Sequence, residues 1–246
     1  MNTTATLNLL KELKLAGMAR SYESILQLSS HQQPDAHSLI AQMCDAELQS
    51  RVYHKTQFYL KLSKLRYAAS LEELSFTKER NLTKEQVLSL SDCTYLDRAE
   101  NILISGATGS GKSFLACALG HQACLMGYKT LYLNLNRLTE KLTMAKLDGT
   151  FVKLLNQLEK TALLILDDFG LAPMEQNTRL ALLQILEDRY AKKSIIIASQ
   201  IPIQKWHEAI NEPTLADAIM DRLMANAHRF ELKGESLRRK KQPEKK

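Results

Sequence analysis

Eight residues that begin at Gly106 have the types and spacing of a loop that binds phosphate. They read G-A-T-G-S-G-K-S, follow an apolar run, and precede an apolar-rich segment of helical character. Glycines let the backbone turn tightly and aim its N–H groups at a phosphate, and a helix N-terminus adds positive potential. The lysine would reach the β- and γ-phosphates of a nucleotide, and the last serine would bind Mg²⁺. The predicted nucleotide-binding residues are Gly106, Ala107, Thr108, Gly109, Ser110, Gly111, Lys112, Ser113 and Phe114.

A second apolar run, 162–166, ends in two adjacent carboxylates, Asp167 and Asp168. Such a run is typical of a strand that is buried on both faces of a parallel sheet. Asp167 at the strand tip could hold the Mg²⁺ shell, and Asp168 could orient or deprotonate an attacking water. Two acids after an apolar run are, by themselves, more typical of a solvated strand end or a helix cap. The phosphate-binding loop upstream favours the catalytic interpretation, and the two motifs together predict a nucleoside triphosphate site.

From about residue 99 the chain alternates short apolar runs with segments of helical periodicity, which predicts an α/β fold. Strands are predicted at 102–105, 130–134, 162–166, 194–199 and 227–232. Helices are predicted at 112–126, 137–146, 150–160, 176–191 and 214–225. The phosphate-binding loop thereby falls between a strand and a helix, which is the context that its chemistry requires.

The region before the α/β segment is predicted to be helical. Apolar residues recur near a 3.6-residue period over 3–29, a turn follows at 31–35, and a second helix is predicted from residue 38 to residue 66. In the latter half of that helix, basic residues alternate with aromatic ones, a pattern that suits phosphate neutralisation and base stacking. A solvated helix face with aromatic residues in the core is the alternative. The candidate DNA-binding residues are Arg51, Lys55, Lys61, Lys64 and Arg66.

The net charge of +6 is unevenly distributed. Residues 99–232 are neutral, whereas 51–70 and 233–246 carry excess positive charge, which suggests a polyanionic partner. No apolar run is long enough to cross a bilayer, no signal peptide is evident, and the four cysteines lack metal-ligand spacing, so we expect a cytoplasmic protein with reduced thiols. The predicted domains are a helical N-terminal domain for DNA binding and assembly at 1–70, a connector at 71–98, an ATPase core at 99–232 and a basic C-terminal tail at 233–246.

Polar residues after the fourth predicted strand could complete the site. A side chain there could lie between the two nucleotide motifs and touch the γ-phosphate or the attacking water; Gln200 is preferred over Ser199. Arg222, on the last predicted helix, could act as an arginine finger that reaches a phosphate in a neighbouring subunit. An ion pair with Asp217 or Asp221 is the alternative for Arg222.

These residues, in this order, resemble the IstB-like helper ATPases of bacterial insertion sequences, a branch of the AAA+ proteins close to the DnaC-type helicase loaders. The ATPase motifs are shared across a wide superfamily, and the more specific pieces are ASQIPIQKW, the DRL helix, the HRFELKGESLR ending and the helical front end. The resemblance covers most of the chain, through the segments GATGSGKSFLACALGHQACLMGYKTLYLN, LLILDDFG, DRYAKKSIIIASQIPIQKWHEAI, LADAIMDRL, AHRFELKGESLR, LKLAGMA and AELQSR.

The resemblance implies an α/β AAA+ P-loop core with a parallel sheet of order 5-1-4-3-2, a small all-α N-terminal domain before it, and no full lid domain. It implies dependence on ATP and Mg²⁺, binding to double-stranded DNA, a homo-oligomer formed with ATP and DNA, and a cognate transposase that the protein assists. The residues that it assigns to the Walker, sensor I and arginine-finger roles are Lys112, Ser113, Asp167, Asp168, Gln200 and Arg222.

Two departures from the general AAA+ pattern are evident. The acid after Asp167 is an aspartate rather than the usual glutamate, so its reach to water is shorter and we expect slow hydrolysis. Only 46 residues follow Gln200, too few for the usual helical lid, and Arg238 is the late candidate for a sensor II arginine. A DnaC-like helicase loader is the alternative function, and a small-molecule kinase with the same loop is a third.

Overall fold

The computed structural model describes residues 2–237, apart from the side chain of Lys78, and divides the chain into two compact units. The first unit ends at Phe58 and the second begins at Tyr59, so the boundary falls inside a long helix. The helices before the sheet are α1 (Thr3–Glu12), α2 (Ala16–Leu26), α3 (Ala36–Ser63), α4 (Lys84–Leu88) and α5 (Thr94–Asp97). The remaining elements are β1 (Asn101–Gly106), α6 (Lys112–Leu125), β2 (Thr130–Asn134), α7 (Leu135–Leu147), α8 (Phe151–Glu159), β3 (Leu163–Phe169), α9 (Gln176–Arg189), β4 (Ser194–Ser199), α10 (Trp206–Ile210), α11 (Pro213–Met224) and β5 (Ala227–Leu232).

The prediction of one helix over 3–29 was wrong, because the chain breaks into α1 and α2. Lys14 has a φ of +60°, a left-handed conformation that an α-helix cannot continue. The new N-terminus of α2 lacks a capping side chain of its own. A carboxylate from α3 replaces that cap, since Glu47 Oε2 accepts from the backbone N of Gly17 at 2.8 Å and of Met18 at 3.3 Å. The break therefore lets α2 pack against α3 within the first unit.

The second predicted helix also ends earlier than expected. Helix α3 stops at Ser63, and Lys64 follows it with a φ of +53°. A left-handed residue directly after a helix is a common way for the chain to leave it. Arg66, which was predicted to lie on the helix, therefore lies on the segment after it.

The second unit contains a five-stranded parallel sheet with the order β2-β3-β4-β1-β5. Read from the other edge this is 5-1-4-3-2, so the predicted fold class is confirmed. Residues of β3 alternate between two buried clusters: Leu163 and Ile165 face the α6 side, and Leu164 and Leu166 face the side of α7, α9 and α11. This burial on both faces explains the unbroken apolar run.

The five predicted strands are confirmed in position, and β3 extends beyond its predicted end to include both aspartates and Phe169. The connector contains a short helix, α4, which begins with a capping box between Thr83 and Gln86. The connector also contributes Leu90 and Tyr95 to the buried cluster on the α6 side. Among residues 2–237, none of the helices combines the length and apolar character that a bilayer crossing requires.

Candidate nucleotide-binding site

The sheet order brings the predicted nucleotide motifs to one edge. Strand β4 lies between β1, which leads into the phosphate-binding loop, and β3, which carries the aspartates. All three strands are parallel, so their carboxyl ends meet on the same side. In open parallel sheets, ligands bind in the crevice outside these carboxyl ends. The site is therefore built from three strand ends that are far apart in the sequence.

The phosphate-binding loop has the backbone that its glycines permit. Gly111 precedes α6 with a φ of +97°, and Gly106 has a φ of +149° and approaches the Leu232 carbonyl too closely for a side chain. The buried Lys112 donates from Nζ to the Ala107 carbonyl at 2.8 Å, so its amine lies across the mouth of the loop. Ser113 follows in the first turn of α6, half-buried. The loop thus presents an amine, a hydroxyl and a helix N-terminus together, as phosphate binding requires.

Two contacts that sequence reasoning missed hold this loop in place. Arg80, only 9% exposed, donates from Nη2 to the Ser110 carbonyl at 2.6 Å. Its burial lowers the pKa of the guanidinium. The backbone N of Leu237 donates to the Gly109 carbonyl at 3.0 Å, so the segment after β5 reaches the loop. The rest of the predicted basic tail, including Arg238, lies outside the described residues.

A β-bulge frees the two aspartates from the ladder between β3 and β4. The strand register shifts between Leu166 and Phe169, which leaves Asp167 and Asp168 without partners on β4. Bulges commonly re-aim side chains next to active sites. Asp168 has a φ of +58°, so its side chain projects differently from that of its neighbour. This local geometry lets the adjacent carboxylates of Asp167 and Asp168 point in different directions.

Asp167 is buried, and each of its two carboxylate oxygens accepts a hydrogen bond. It is 1% exposed; Oδ1 accepts from the Asp168 backbone N at 2.9 Å, and Oδ2 accepts from the Tyr132 hydroxyl at 2.5 Å. Burial, followed by the hydrogen bond to Asp167, raises the pKa of the Tyr132 phenol well above its usual range. Tyr132 was not singled out in the sequence, although its strand β2 is the neighbour of β3. A tyrosine that stays protonated is a constant donor to this carboxylate.

Asn134 at the end of β2 holds the second aspartate. Its Nδ2 donates to Asp168 Oδ2 at 2.5 Å, while its Oδ1 caps α7 by accepting from the Asn136 backbone N at 2.9 Å. The cap fixes the direction of the amide, because only its nitrogen end remains for Asp168. Asn134 was not predicted from the sequence either. The signal that could have identified it is a polar residue at the end of the strand that neighbours β3. Asp168 is thus positioned through a side chain from the neighbouring strand.

Arg66 lies beside the carboxylates of Asp167 and Asp168. Its Nη1 is 3.9 Å from Asp167 Oδ2 and 3.8 Å from Asp168 Oδ2. A hydrogen bond with Tyr132 is the main cause that raises the pKa of its guanidinium. The other four candidate DNA-binding residues are elsewhere: Arg51 pairs with Glu47 at 2.8 Å in the first unit, and the others are exposed, Lys55 in the first unit and Lys61 and Lys64 in the second.

Gln200 reaches the phosphate-binding loop from the end of β4. Its Oε1 accepts from the Thr108 hydroxyl at 2.7 Å, which places the amide between the two nucleotide motifs. Ser199, the other candidate, is fully buried and donates to the Phe169 carbonyl at 2.6 Å. Ser199 therefore ties β4 to β3, and Gln200 is the residue that faces the site.

Arg222 lies far from the loop of its own chain. The backbone carbonyl of Arg222 accepts from Asn101, which begins β1, whereas the loop follows the end of β1. Its Nη2 pairs with Glu187 Oε1 at 2.5 Å and its Nη1 lies 3.7 Å from Asp221, and the contact with Glu187 is the main cause that raises its pKa. Asp217, the other suggested partner, pairs with His207 instead. An ion pair therefore exists, chiefly with a glutamate that sequence reasoning did not weigh.

The donor set at this edge fits Mg²⁺. Mg²⁺ prefers oxygen ligands and is usually held by one or two protein oxygens together with phosphate oxygens and water. The Ser113 hydroxyl, in α6 after β1, and the Asp167 carboxylate, on β3, supply such oxygens at the same edge of the sheet. Asp167 Oδ2 accepts from the Tyr132 hydroxyl and lies 3.9 Å from Arg66 Nη1, so both side chains border the proposed metal position.

Comparison with known proteins agrees with this geometry. The family described as "IstB-like ATP binding protein" matches residues 8–245. An insertion sequence ATP-binding protein of Sinorhizobium fredii, y4pL, is 41% identical over 95% of this chain and 96% of its own length. The replication initiator DnaA bound to AMPPCP and single-stranded DNA has a TM-score of 0.60 at 22% identity, over 70% of this chain and 52% of its own. The DnaC helicase loader has a TM-score of 0.57 at 19% identity, over 69% of this chain and 99% of its own. These two likenesses show a fold that is shared over most of this chain.

Proposed function

This chain belongs to the IstB-like ATP-binding protein family, and from that premise we propose that it is an ATP-dependent DNA-binding AAA+ protein of an insertion sequence. It oligomerises on double-stranded DNA in its ATP form and assists the cognate transposase. The observation that carries the proposal is the convergence of the phosphate-binding loop, the aspartate pair and Gln200 on one edge of the sheet.

The proposed reaction is hydrolysis of ATP to ADP and phosphate. The loop N–H groups and Lys112 bind the β- and γ-phosphates, and Ser113 and Asp167 hold Mg²⁺, which supplies Lewis-acid neutralisation of phosphate charge. Asp168 takes a proton from water as the water oxygen bonds to the γ-phosphorus and the bond to the β-bridging oxygen breaks. Gln200, next to Thr108, is placed to orient that water. The short reach of an aspartate makes a slow reaction the expectation.

Arg222 acts in trans in this proposal. It cannot serve its own site, because it lies beside the start of β1 rather than the end. A cation delivered from a neighbouring subunit would stabilise charge in the transition state only where subunits meet. Glu187 holds the guanidinium in place until a phosphate competes for it.

We expect Arg222→Ala protomers to bind ATP with near-parental affinity but to hydrolyse it poorly and to assemble less on DNA. The test mixes them with Lys112→Ala protomers, because each variant supplies the half-site that the other lacks. Recovery of hydrolysis in the mixture supports the arginine finger. Lys153→Ala, which removes an exposed charge from α8, is the control and should hydrolyse ATP like the parent. If hydrolysis does not recover in the mixture and Arg222→Ala alone forms normal oligomers, Arg222 is not an arginine finger. Its role would then be limited to its ion pairs within the chain.

DNA binding is proposed to use basic side chains on phosphates, so it should be sequence-tolerant and sensitive to salt. Replacing Lys55, Lys61 and Lys64 with glutamine should weaken binding and lower the slope of log affinity against log salt by up to about 3. Arg51 and Arg66 are left in place because each contacts a carboxylate within its own unit.

The control for that experiment removes the same charge from the exposed Lys153, Lys160 and Lys192 of the ATPase core. Fluorescence anisotropy with double-stranded DNA at several salt concentrations measures both variants. A slope that falls only in the control would place the DNA-binding surface on the core.

A further inference from the structure

The guanidinium of Arg66 faces the two carboxylates of the proposed catalytic pair. Its Nη1 lies 3.9 Å from Asp167 Oδ2 and 3.8 Å from Asp168 Oδ2, so one cation is shared by both. The Tyr132 hydroxyl donates to the same Asp167 Oδ2, so the guanidinium and the hydroxyl approach one carboxylate oxygen. Arg66 therefore contacts the very oxygen that would face a metal ion.

Two adjacent carboxylates in a partly buried site need a positive charge. Asp167 is 1% exposed and the Asp168 side chain 19%, so solvent screens their repulsion poorly. Arg66 supplies that counter-charge. Its own side chain remains 43% exposed, and both separations are longer than a close charge-assisted hydrogen bond. The contact of Arg66 with the two carboxylates is thus favourable, but a closer cation can replace it.

The chain around Arg66 is anchored beside the phosphate-binding loop. Lys64 turns the backbone out of α3, and the Tyr67 ring packs 6.2 Å from the Phe114 ring in the first turn of α6. The Arg66 guanidinium also lies 5.4 Å from the centre of the Tyr67 ring. Arg66 is the third residue after the end of α3 and directly precedes Tyr67, whose ring packs on the residue that follows Ser113, the other proposed ligand of the metal.

We propose that Arg66 is a placeholder for the metal ion: it neutralises Asp167 and Asp168 in the nucleotide-free protein and withdraws from them when Mg²⁺ and ATP bind. This inference rests on the proposed function, because it takes Ser113 and Asp167 as the metal ligands. A guanidinium and a divalent cation in front of the same oxygen repel each other, so they cannot both stay. Because Arg66 occupies the position of the metal ion, half-saturation of the site requires a higher Mg²⁺ concentration.

The test compares Arg66→Gln with the parent in the binding of a fluorescent, non-hydrolysable ATP analogue. In excess EDTA the variant should bind the analogue more weakly, because the uncompensated carboxylates repel the phosphates. When Mg²⁺ is added, its half-maximal concentration should fall by about fivefold or more relative to the parent. The variant should therefore bind the analogue more weakly without Mg²⁺ and yet need less Mg²⁺ for binding. A merely structural role for Arg66 would weaken binding under both conditions.

The matched control is Arg229→Gln, which removes an exposed arginine from β5 and should shift neither value. A second readout uses no nucleotide: Mg²⁺ alone should raise the melting temperature of Arg66→Gln more than that of the parent. If the glutamine variant does not fold, Arg66→Met preserves the aliphatic length and carries the same expectations. An unchanged or higher half-maximal Mg²⁺ concentration, in a parent that binds the analogue, overturns the placeholder role alone. A parent that does not bind the analogue with Mg²⁺ overturns the proposed function, and this inference with it.

Discussion

Replacement of Lys112 by alanine is expected to abolish ATP binding. The lysine is buried in the loop, and its Nζ lies at the Ala107 carbonyl, where the amine is ready to meet the β- and γ-phosphates. Its removal leaves the phosphates without the point charge that the backbone N–H groups cannot replace. Titration with a fluorescent ATP analogue in Mg²⁺ measures the loss.

We expect the fold to survive this change, because alanine at the first position of α6 is compatible with the helical backbone. Circular dichroism of Lys112→Ala checks that expectation, and Lys153→Ala serves as the matched control for charge. Retention of parental affinity by Lys112→Ala would show that ATP binds somewhere other than the phosphate-binding loop.

Replacement of Asp168 by asparagine is expected to preserve ATP binding and to slow hydrolysis by at least about 100-fold. The amide has nearly the same shape but cannot take the proton from water. Asp167, which remains, is buried and committed to Tyr132 and to the backbone. Single-turnover hydrolysis at saturating ATP separates the two effects.

Asp188→Asn, in the last turn of α9, is the matched control and should hydrolyse ATP at the parental rate; Asp188 is half-buried and accepts from Gln184 of the same helix. If Asp168→Asn also hydrolysed at that rate, Asp168 would not be the base. The role would then fall to another group within reach of the water.

The core of the second unit was predictable because its signals are local. An unbroken apolar run such as 162–166 predicts a strand buried on both faces, and β3 has that burial. The glycine-rich loop required a strand before it and a helix after it, which β1 and α6 provide. Strand order came from the family resemblance, since no pattern within a strand specifies its neighbours.

The predictions failed where the backbone leaves a regular pattern without a glycine or proline. Lys14 and Lys64 both adopt positive φ, yet lysine gives no local signal for that conformation. The helix break at Lys14 depends on Glu47, which is more than 30 positions away. The long-range contact decides the local structure there.

Several site residues were missed because their roles arise from contacts between distant segments. Asn134 and Tyr132 reach the aspartates only because β2 pairs with β3. Arg80 reaches the phosphate-binding loop from a connector with no motif. Arg66 was predicted to bind DNA from the composition of its segment, and its position beside the two carboxylates depends on a contact that no local pattern indicates.

The central claim is that ATP drives assembly on DNA, and sedimentation velocity with double-stranded DNA tests it most directly. The parent with Mg²⁺ and a non-hydrolysable ATP analogue should form complexes much larger than one protomer on the DNA. ADP should not support those complexes, and Lys112→Ala should not form them with either nucleotide. Equal assembly of the parent with ADP or without nucleotide, or assembly of Lys112→Ala, would contradict the account.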